Sequence, residues 1–369
     1  MTKSLGGSRN EGGQVILVAV LAMTVLLGMT AMAIDIGLFF EDRRHLQNSA
    51  DAMALAGVQE LPLSPASAKL KAQDWAANNG IAPAEIKNIE VQTTGFPNDT
   101  VHVELDREFS WVFGRVLGKT VSAVGAEAAA RTGSLAGGFG AMPWALLEEE
   151  STCLNANGDA IFNADCAVKV GAGSSAITGW YGALDYDGVG GGSNEYNGNI
   201  VDGETIDSYC VVTEPSPGCD TSVVPALDGN KVGGTDQGIE ERLAAEPTPG
   251  CGDGTGIDDF DEVFTPNPAG TPTYLVSCPD SPRLIVIPIV VTNPKGGPGD
   301  PDVVHSITIT GWALAYLKDY ACVGAANCKS AKGHWEVNVT MVDAVYSQTA
   351  GFLAAYDPTN GIIVRRLVR

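Results

Sequence analysis

Val15-Ile16-Leu17-Val18-Ala19-Val20-Leu21-Ala22-Met23-Thr24-Val25-Leu26-Leu27-Gly28-Met29-Thr30-Ala31-Met32-Ala33-Ile34 runs for 20 residues without a charge. A helix of about that length crosses the hydrocarbon core of a bilayer. Ten of these residues are Val, Ile or Leu, and they favour insertion by roughly 3 to 6 kcal/mol. One Asp at the centre would cancel roughly 2.5 to 3.5 kcal/mol of that. Asp35 therefore belongs at the rim of the span, in contact with water. No proline follows before Pro62, so one helix is predicted from about Gln14 to about Gly57, leaving the membrane as an amphipathic stalk.

The stalk places Leu46, Ala50, Met53/Ala54, Gly57 and Leu61 at steps of three and four residues, which is one helical face. The small residues Ala50, Ala54 and Gly57 on that face allow another backbone to come close. Arg43, Arg44, Gln47 and Asp51 lie on the opposite face, and Pro62 and Pro65 end the helix. The competing reading of the apolar run is a cleaved signal peptide, with Ala31-Met32-Ala33 as its small-residue cleavage site. The length of the run, and the apolar pattern that continues past the cut, favour a retained anchor.

Beyond the stalk, a second helix is predicted over Ser67 to Asn79, with Leu70, Trp75 and Ala76 as its apolar positions. Ile89 to Thr93 and Val101 to Leu105 alternate like strands across the turn-like Pro97-Asn98-Asp99. Phe109 to Leu117 reads as a short helix, and Thr120 to Arg131 closes the unit with a strand-like first half. Residues 132 to 282 change character, because Gly, Asn, Asp, Ser and Pro interrupt every apolar run; short strands and long loops are the natural product. Arg283 to Val291 is nearly continuous β-branched sequence, and Pro288 within it argues for an edge strand or a bulge. Val303 to Thr310, Trp335 to Val342 and Gly361 to Val368 supply later strands. The expected class is α+β: a long transmembrane and stalk helix, a small α+β layer, then a β-rich, disulfide-bonded C-terminal domain. The boundaries are a tail over 1–13, the helix over 14–61, the small unit over 62–131 and the acidic, Gly-rich domain over 132–369.

The net charge of −22 is localised. Residues 134 to 282 hold 24 Asp and Glu against three basic residues, Lys169, Lys231 and Arg242. Such a surface repels phosphate backbones, so nucleic acid is excluded as a partner. The eight cysteines all follow the apolar run. Their closeness in sequence suggests Cys153–Cys166, Cys210–Cys219, Cys251–Cys278 and Cys322–Cys328, one of about 105 possible connectivities. Bonded cysteines persist in oxidising compartments. The N-terminus is therefore placed in the cytoplasm and the bulk of the chain outside, as a single-pass membrane protein.

The segment Gly13-Gln14, the apolar run, Ala33-Ile34-Asp35-Ile36-Gly37, and then Leu46-Gln47-Asn48-Ser49-Ala50-Asp51-Ala52-Met53-Ala54-Leu55-Ala56-Gly57 resembles the N-terminus of the TadE/TadG-like family. That family has a span ending in Ala-x-Asp-x-Gly, followed by Leu-Gln-Asn-Ala-Ala-Asp-Ala-Ala-Ala-Leu-Ala. Val116-Leu117-Gly118 followed by Val121-Ser122-Ala123 is similar to a second, looser family feature. The resemblance implies a pilin-like helix and small unit in a Tad/Flp pilus-assembly protein or minor pseudopilin of a bacterial cytoplasmic membrane. It also implies partners among other pilin-like or Tad-system proteins, with Asp35, Leu46, Ala50, Ala54 and Gly57 as helix-packing candidates. Cleavage after Gly6 would put Glu11 at the fifth mature position but leave the apolar run too late, and cleavage after Gly13 would put Val18 there.

No catalytic motif is present: no Gly-x-Ser-x-Gly, no P-loop, no HExxH, no dinucleotide fingerprint. A non-enzymatic protein without a cofactor is the expectation. The one candidate for metal is the oxygen-rich stretch holding Asp253, Asp258, Asp259, Asp261 and Glu262, because calcium takes about six to eight oxygen ligands. Its spacing departs from the EF-hand loop at Ile257. Two other functions are carried alongside: a surface adhesin with a calcium-assisted acidic domain and, below it, an anchored glycoside hydrolase working through paired carboxylates.

Overall fold

The computed structural model describes residues 12–169, 180–186, 188, 192–205, 222–268, 270, 272–294, 304–324, 328, 333–345, 351–354 and 362–368. Two compact units divide the chain. One comprises residues 1–92, 100–130 and 367–369; the other comprises 93–99 and 131–366.

The first unit is built on a single helix, α1 (Gly12–Gly57), of 46 residues. A 3-10 turn, Val58–Glu60, ends it. Helix α2 (Pro65–Asn78) follows, then the antiparallel pair β1 (Ile86–Gln92) and β2 (Thr100–Ser110), and β3 (Val121–Ala141), whose first half belongs here. Three sequence expectations are corrected. Pro65 opens α2 rather than merely ending α1, because a proline at the first helical position gives up an N–H that would be unpaired anyway. Phe109 to Leu117 is not a helix: β2 runs to Ser110, and only Gly114–Leu117 turns, as a 3-10 helix. Finally, α2 buries Ala68, Ala72 and Ala76 while Leu70 and Trp75 are exposed.

The last correction has a steric cause. A Cβ on Gly57 would lie 2.9 Å from the Ala68 carbonyl oxygen, 3.2 Å from Val101 Cγ1 and 3.3 Å from Ala72 Cβ. At that approach only methyl side chains fit between α1 and α2. Gly57 has ordinary helical torsions, φ −63° and ψ −42°, so Ala there would gain up to about 1 kcal/mol of helix propensity in isolation. The contact with backbone decides the sign the other way. Gly57→Val is expected to destabilise this unit by about 2 kcal/mol, read from the urea unfolding midpoint of the detergent-solubilised chain.

The second unit contains β4 (Leu146–Leu147), β5 (Asp165–Lys169), β6 (Trp180–Leu184), α3 (Ser193–Asp202), β7 (Glu204–Thr205), β8 (Val223–Asp228), α4 (Val232–Leu243), α5 (Phe260–Val263), β9 (Phe264–Pro266), β10 (Tyr274–Val276), β11 (Leu284–Pro294), β12 (Val304–Val323), β13 (His334–Val342), β14 (Ala344–Val345), β15 (Gly351–Ala354) and β16 (Ile362–Val368). Its spine is the antiparallel run β5–β13–β12–β11. Alternate residues of β11 serve different cores. Leu284, Val286 and Val290 face one, with Trp312 and Tyr316 of β12; Ile285, Ile287 and Ile289 face the other, with Ala313, Ala315 and Leu317. Both faces are covered, which is why the sequence of β11 is apolar throughout instead of alternating.

Pro288 sits in an interior strand, not at an edge. One side of β11 pairs with β12; the other pairs with Ala141 of β3 at Val286 and with β4 at Ile289 and Val290. The carbonyls of Val286 and Val290 accept from Met142 N–H and Glu148 N–H on that second side. Pro288 lies midway and faces the same way by the period of two. Residues 142–145 leave the ladder there, so the missing N–H costs no hydrogen bond. The expected bulge is present beside it, at the register shift between Ile289 and Val290.

Three disulfides close local loops, Cys153–Cys166, Cys251–Cys278 and Cys322–Cys328. The suggested pair Cys210–Cys219 lies outside the described residues. The Cys251–Cys278 bridge spans a sequence separation of 27, for which chain entropy gives about 3.5 kcal/mol. Replacing both cysteines with Ala is expected to lower stability by about that amount, measured by urea unfolding under non-reducing conditions.

Candidate functional site: the exposed rod and its collar

Apart from the partly covered Ala31, the apolar side chains of α1 from Val15 to Leu38 are uncovered, and the helix is long and apolar enough to cross a membrane. Burial begins abruptly at Asp35 and continues through Phe39, Asp42, Leu46, Ser49/Ala50, Met53 and Ala56/Gly57. Those steps of three and four define one face of α1, and the folded unit is built against it. The packing candidates Leu46, Ala50, Ala54 and Gly57 are all consumed within their own unit, where they join Ala68, Ala72, Val101 and Val103 in one core. The backbone that comes close to the small-residue face is α2 of the same chain.

Asp35 is not a wetted rim residue. It is 2% exposed. Its Oδ1 accepts from Val112 N–H at 3.1 Å, and its Oδ2 accepts from Phe113 N–H at 3.0 Å and Gly114 N–H at 2.7 Å. The carboxylate thus satisfies successive N–H groups at the tip of the hairpin between β2 and β3, just where the 3-10 turn starts. Such turn starts expose unpaired donors and favour an anion. Phe39 stands one turn further along α1. Its ring stacks on Trp111 at 5.8 Å and meets Phe109 edge-on at 5.4 Å. A turn beyond, Asp42 pairs with Arg107 at 2.7 Å, and Arg107 also holds Glu85. The Arg107 hydrogen bond keeps the Glu85 carboxyl below its ordinary value, against the opposing effect of burial. Together these contacts fasten the descending end of β2 to α1 as a collar.

The acidic stretch of the second unit is held together by local hydrogen bonds. Asp258 is buried and accepts from Thr248 N–H at 2.9 Å and Thr248 Oγ1 at 2.6 Å. Asp259 stands at the N-cap of α5, where its backbone N–H donates to Glu262 Oε2 at 3.2 Å. Glu262 also accepts from Asp253 N–H at 3.1 Å, and Asp253 accepts from Thr255. Asp261 is exposed. The carboxylates of Asp253, Asp258 and Glu262 are each turned to a local N–H or hydroxyl, and among the described residues no group of three or more His, Cys, Asp or Glu side chains is arranged to hold a metal ion. Beneath the loop, Arg283 pairs with Glu246 through Nε and Nη2, and the Tyr316 hydroxyl donates to the Asp258 carbonyl at 2.8 Å. Burial pushes the Tyr316 phenol up to about 12.

A second buried carboxylate organises residues 93–99. Asp99 is fully buried and accepts from Thr94, Gly95 and Phe96 N–H, with Arg131 Nε at 2.8 Å. Burial opposes its ionisation, but the N–H donors and the Thr94 hydroxyl outweigh it and hold the carboxyl below its ordinary value. A depressed folded pKa stabilises above the unfolded value, roughly 3.9, and that contribution disappears as pH falls through the folded pKa. Asp99→Asn is therefore expected to flatten the acid limb of a stability profile below about pH 4, followed by circular dichroism.

A long uncovered apolar helix, fastened at one end to a small α+β unit, fits a membrane-anchored protein. Residues 13–60 match the family described as Putative Flp pilus-assembly TadE/G-like. The match covers the rod, the collar residues of α1 and the packed stalk, and it ends before α2. No curated protein and no solved structure matches the chain. Sequence reading missed the hairpin tip, Val112 to Leu117, as part of this site. Its signal was present as two apolar pairs, Val112-Phe113 and Val116-Leu117, each followed by a glycine.

Proposed function

We propose that this chain is a non-enzymatic minor pseudopilin or assembly factor of a Tad/Flp-type pilus system. It is held in the membrane by Val15 to Ile34, with its N-terminus in the cytoplasm and its disulfide-bonded unit outside. The observation that carries the reading is the coincidence of the family match with the uncovered rod. The three bridges support an oxidising location for the second unit. Because the stalk face is already filled, lateral contact with other pilin-like helices falls to the apolar rod itself, where small residues such as Gly28 and Ala31 permit close packing.

The test is deletion of the gene with complementation by the full chain. Loss of pili on deletion and their return on complementation is the expected result. The same cells should yield crosslinks from a photoreactive residue at Leu21 to other pilin-like proteins. Unchanged piliation on deletion, or a freely secreted product beginning near Ile34, overturns the proposal.

A further inference from the structure

The collar places the most exposed apolar side chains of the first unit beside the end of the apolar rod. Along β2 and the residues after it, successive contacts descend α1. Arg107 meets Asp42, Phe109 and Trp111 meet Phe39, and Val112 to Gly114 meet Asp35. The chain therefore advances toward the span as it nears the turn. It then folds back, with Lys119 N–H on the Gly114 carbonyl and Trp111 N–H on the Thr120 carbonyl. The tip carries Val116 and Leu117 at 87% and 86% exposure, with Val112, Phe113 and Val121 also open. Ala31, one turn inside the span from Asp35, is partly covered while its apolar neighbours are open.

We infer that the tip of this hairpin, residues 112–119, inserts into the outer interface of the bilayer that α1 crosses, as a second and monotopic membrane anchor. This rests on the reading of Val15 to Ile34 as a membrane span. A segment clamped to Asp35 by three backbone N–H groups sits at the depth of Asp35, which is the boundary between hydrocarbon and headgroups. At that depth, leaving Val116 and Leu117 uncovered is favourable only if acyl chains meet them. The flanking residues are those suited to the headgroup layer. Arg115 and Lys119 are exposed cations that meet phosphate, and Trp111, with Lys119 Nζ 6.0 Å from its ring centre, is an interfacial aromatic. The occupant is lipid rather than another protein because the exposed tip is fastened at Asp35, directly after the uncovered span Val15 to Ile34.

The experiment places a diazirine amino acid, one position at a time, at Leu117, Leu26 and Leu63 of the full chain, reconstituted in phosphatidylglycerol/phosphatidylethanolamine vesicles. Leu26 lies in the span, and Leu63 is an exposed leucine outside it. Lipid adducts at 117 and 26 with none at 63 is the expected result. Adducts at 26 but none at 117 overturn the inference and leave the span intact. Adducts at neither overturn both readings. Crosslinks from 117 to a second polypeptide, in place of lipid, overturn the inference in favour of a protein contact. The side chains at 116 and 117 are almost fully exposed, so Val116→Asp/Leu117→Asp leaves the fold unchanged. In that variant the tip amides are expected to exchange with deuterium at least tenfold faster in vesicles but at an unchanged rate in detergent. Equal rates for variant and parent in vesicles also overturn the inference.

Discussion

Replacing Arg283 with Met is expected to cost the second unit about 4 kcal/mol of stability. The Arg283 and Glu246 side chains are only 7% and 6% exposed. Two guanidinium nitrogens meet the carboxylate, and Nη1 donates to the carbonyls of Leu317 at 2.9 Å and Lys318 at 2.7 Å. Burial works against the charge on Arg283, but the hydrogen bonds and charge of Glu246 together with the Tyr316 phenol outweigh it and raise its pKa. Removing Arg283 strands a buried carboxylate and two carbonyls at once. Glu246 keeps one donor, the N–H of Asp258 at 3.0 Å, so the acidic loop above is expected to loosen with the core. The double variant Arg283→Met/Glu246→Leu should recover at least half of the loss, because a buried ion pair replaced entirely by apolar groups is often neutral. Urea unfolding of the four chains gives the cycle. A single variant as stable as the parent would refute the buried-pair account.

Asp35→Ala is expected to cost about 3 kcal/mol in the first unit. Three N–H donors lose a charged acceptor, and the residue that replaces it lies where little water reaches them. The loss should concentrate at the hairpin tip. Amides 112–114 should exchange far faster, while those of β1 hold their protection. Asp35→Asn keeps one acceptor oxygen and should fall between the two. The result separates a structural clamp from a group kept for a neighbouring subunit. A variant with native tip protection but lost assembly would favour the neighbour.

Much of this architecture was legible in the chain itself. The helix over Gly12–Gly57 follows from twenty uncharged residues and a stalk without proline. Three cysteine pairs follow from nearness along the sequence, since short loops close at small entropic cost. The strands near 89, 103, 285 and 338 follow from alternation or from unbroken β-branched runs. Helices α3 and α4 were not legible, because Ser193–Asp202 and Val232–Leu243 are rich in Gly and Asn, and their helicity comes from packing. Arg242 shows how: its guanidinium donates to the Ile200, Val201, Pro282 and Leu284 carbonyls, tying both helices to β11.

Sequence alone determined the rod, since being long and apolar enough to cross a membrane is a property of composition and length in one continuous segment. It determined the acidic charge of the middle region for the same reason, and three of its cysteine pairs by nearness along the chain. Tertiary structure decided what Asp35 does. The donors it satisfies lie 77 to 79 residues away, and no local pattern announces a partner at that distance. It also decided that the small-residue face of the stalk is filled from within and that Pro288 can sit inside a sheet. Each of those depends on where a distant backbone passes, and only the folded chain fixes that.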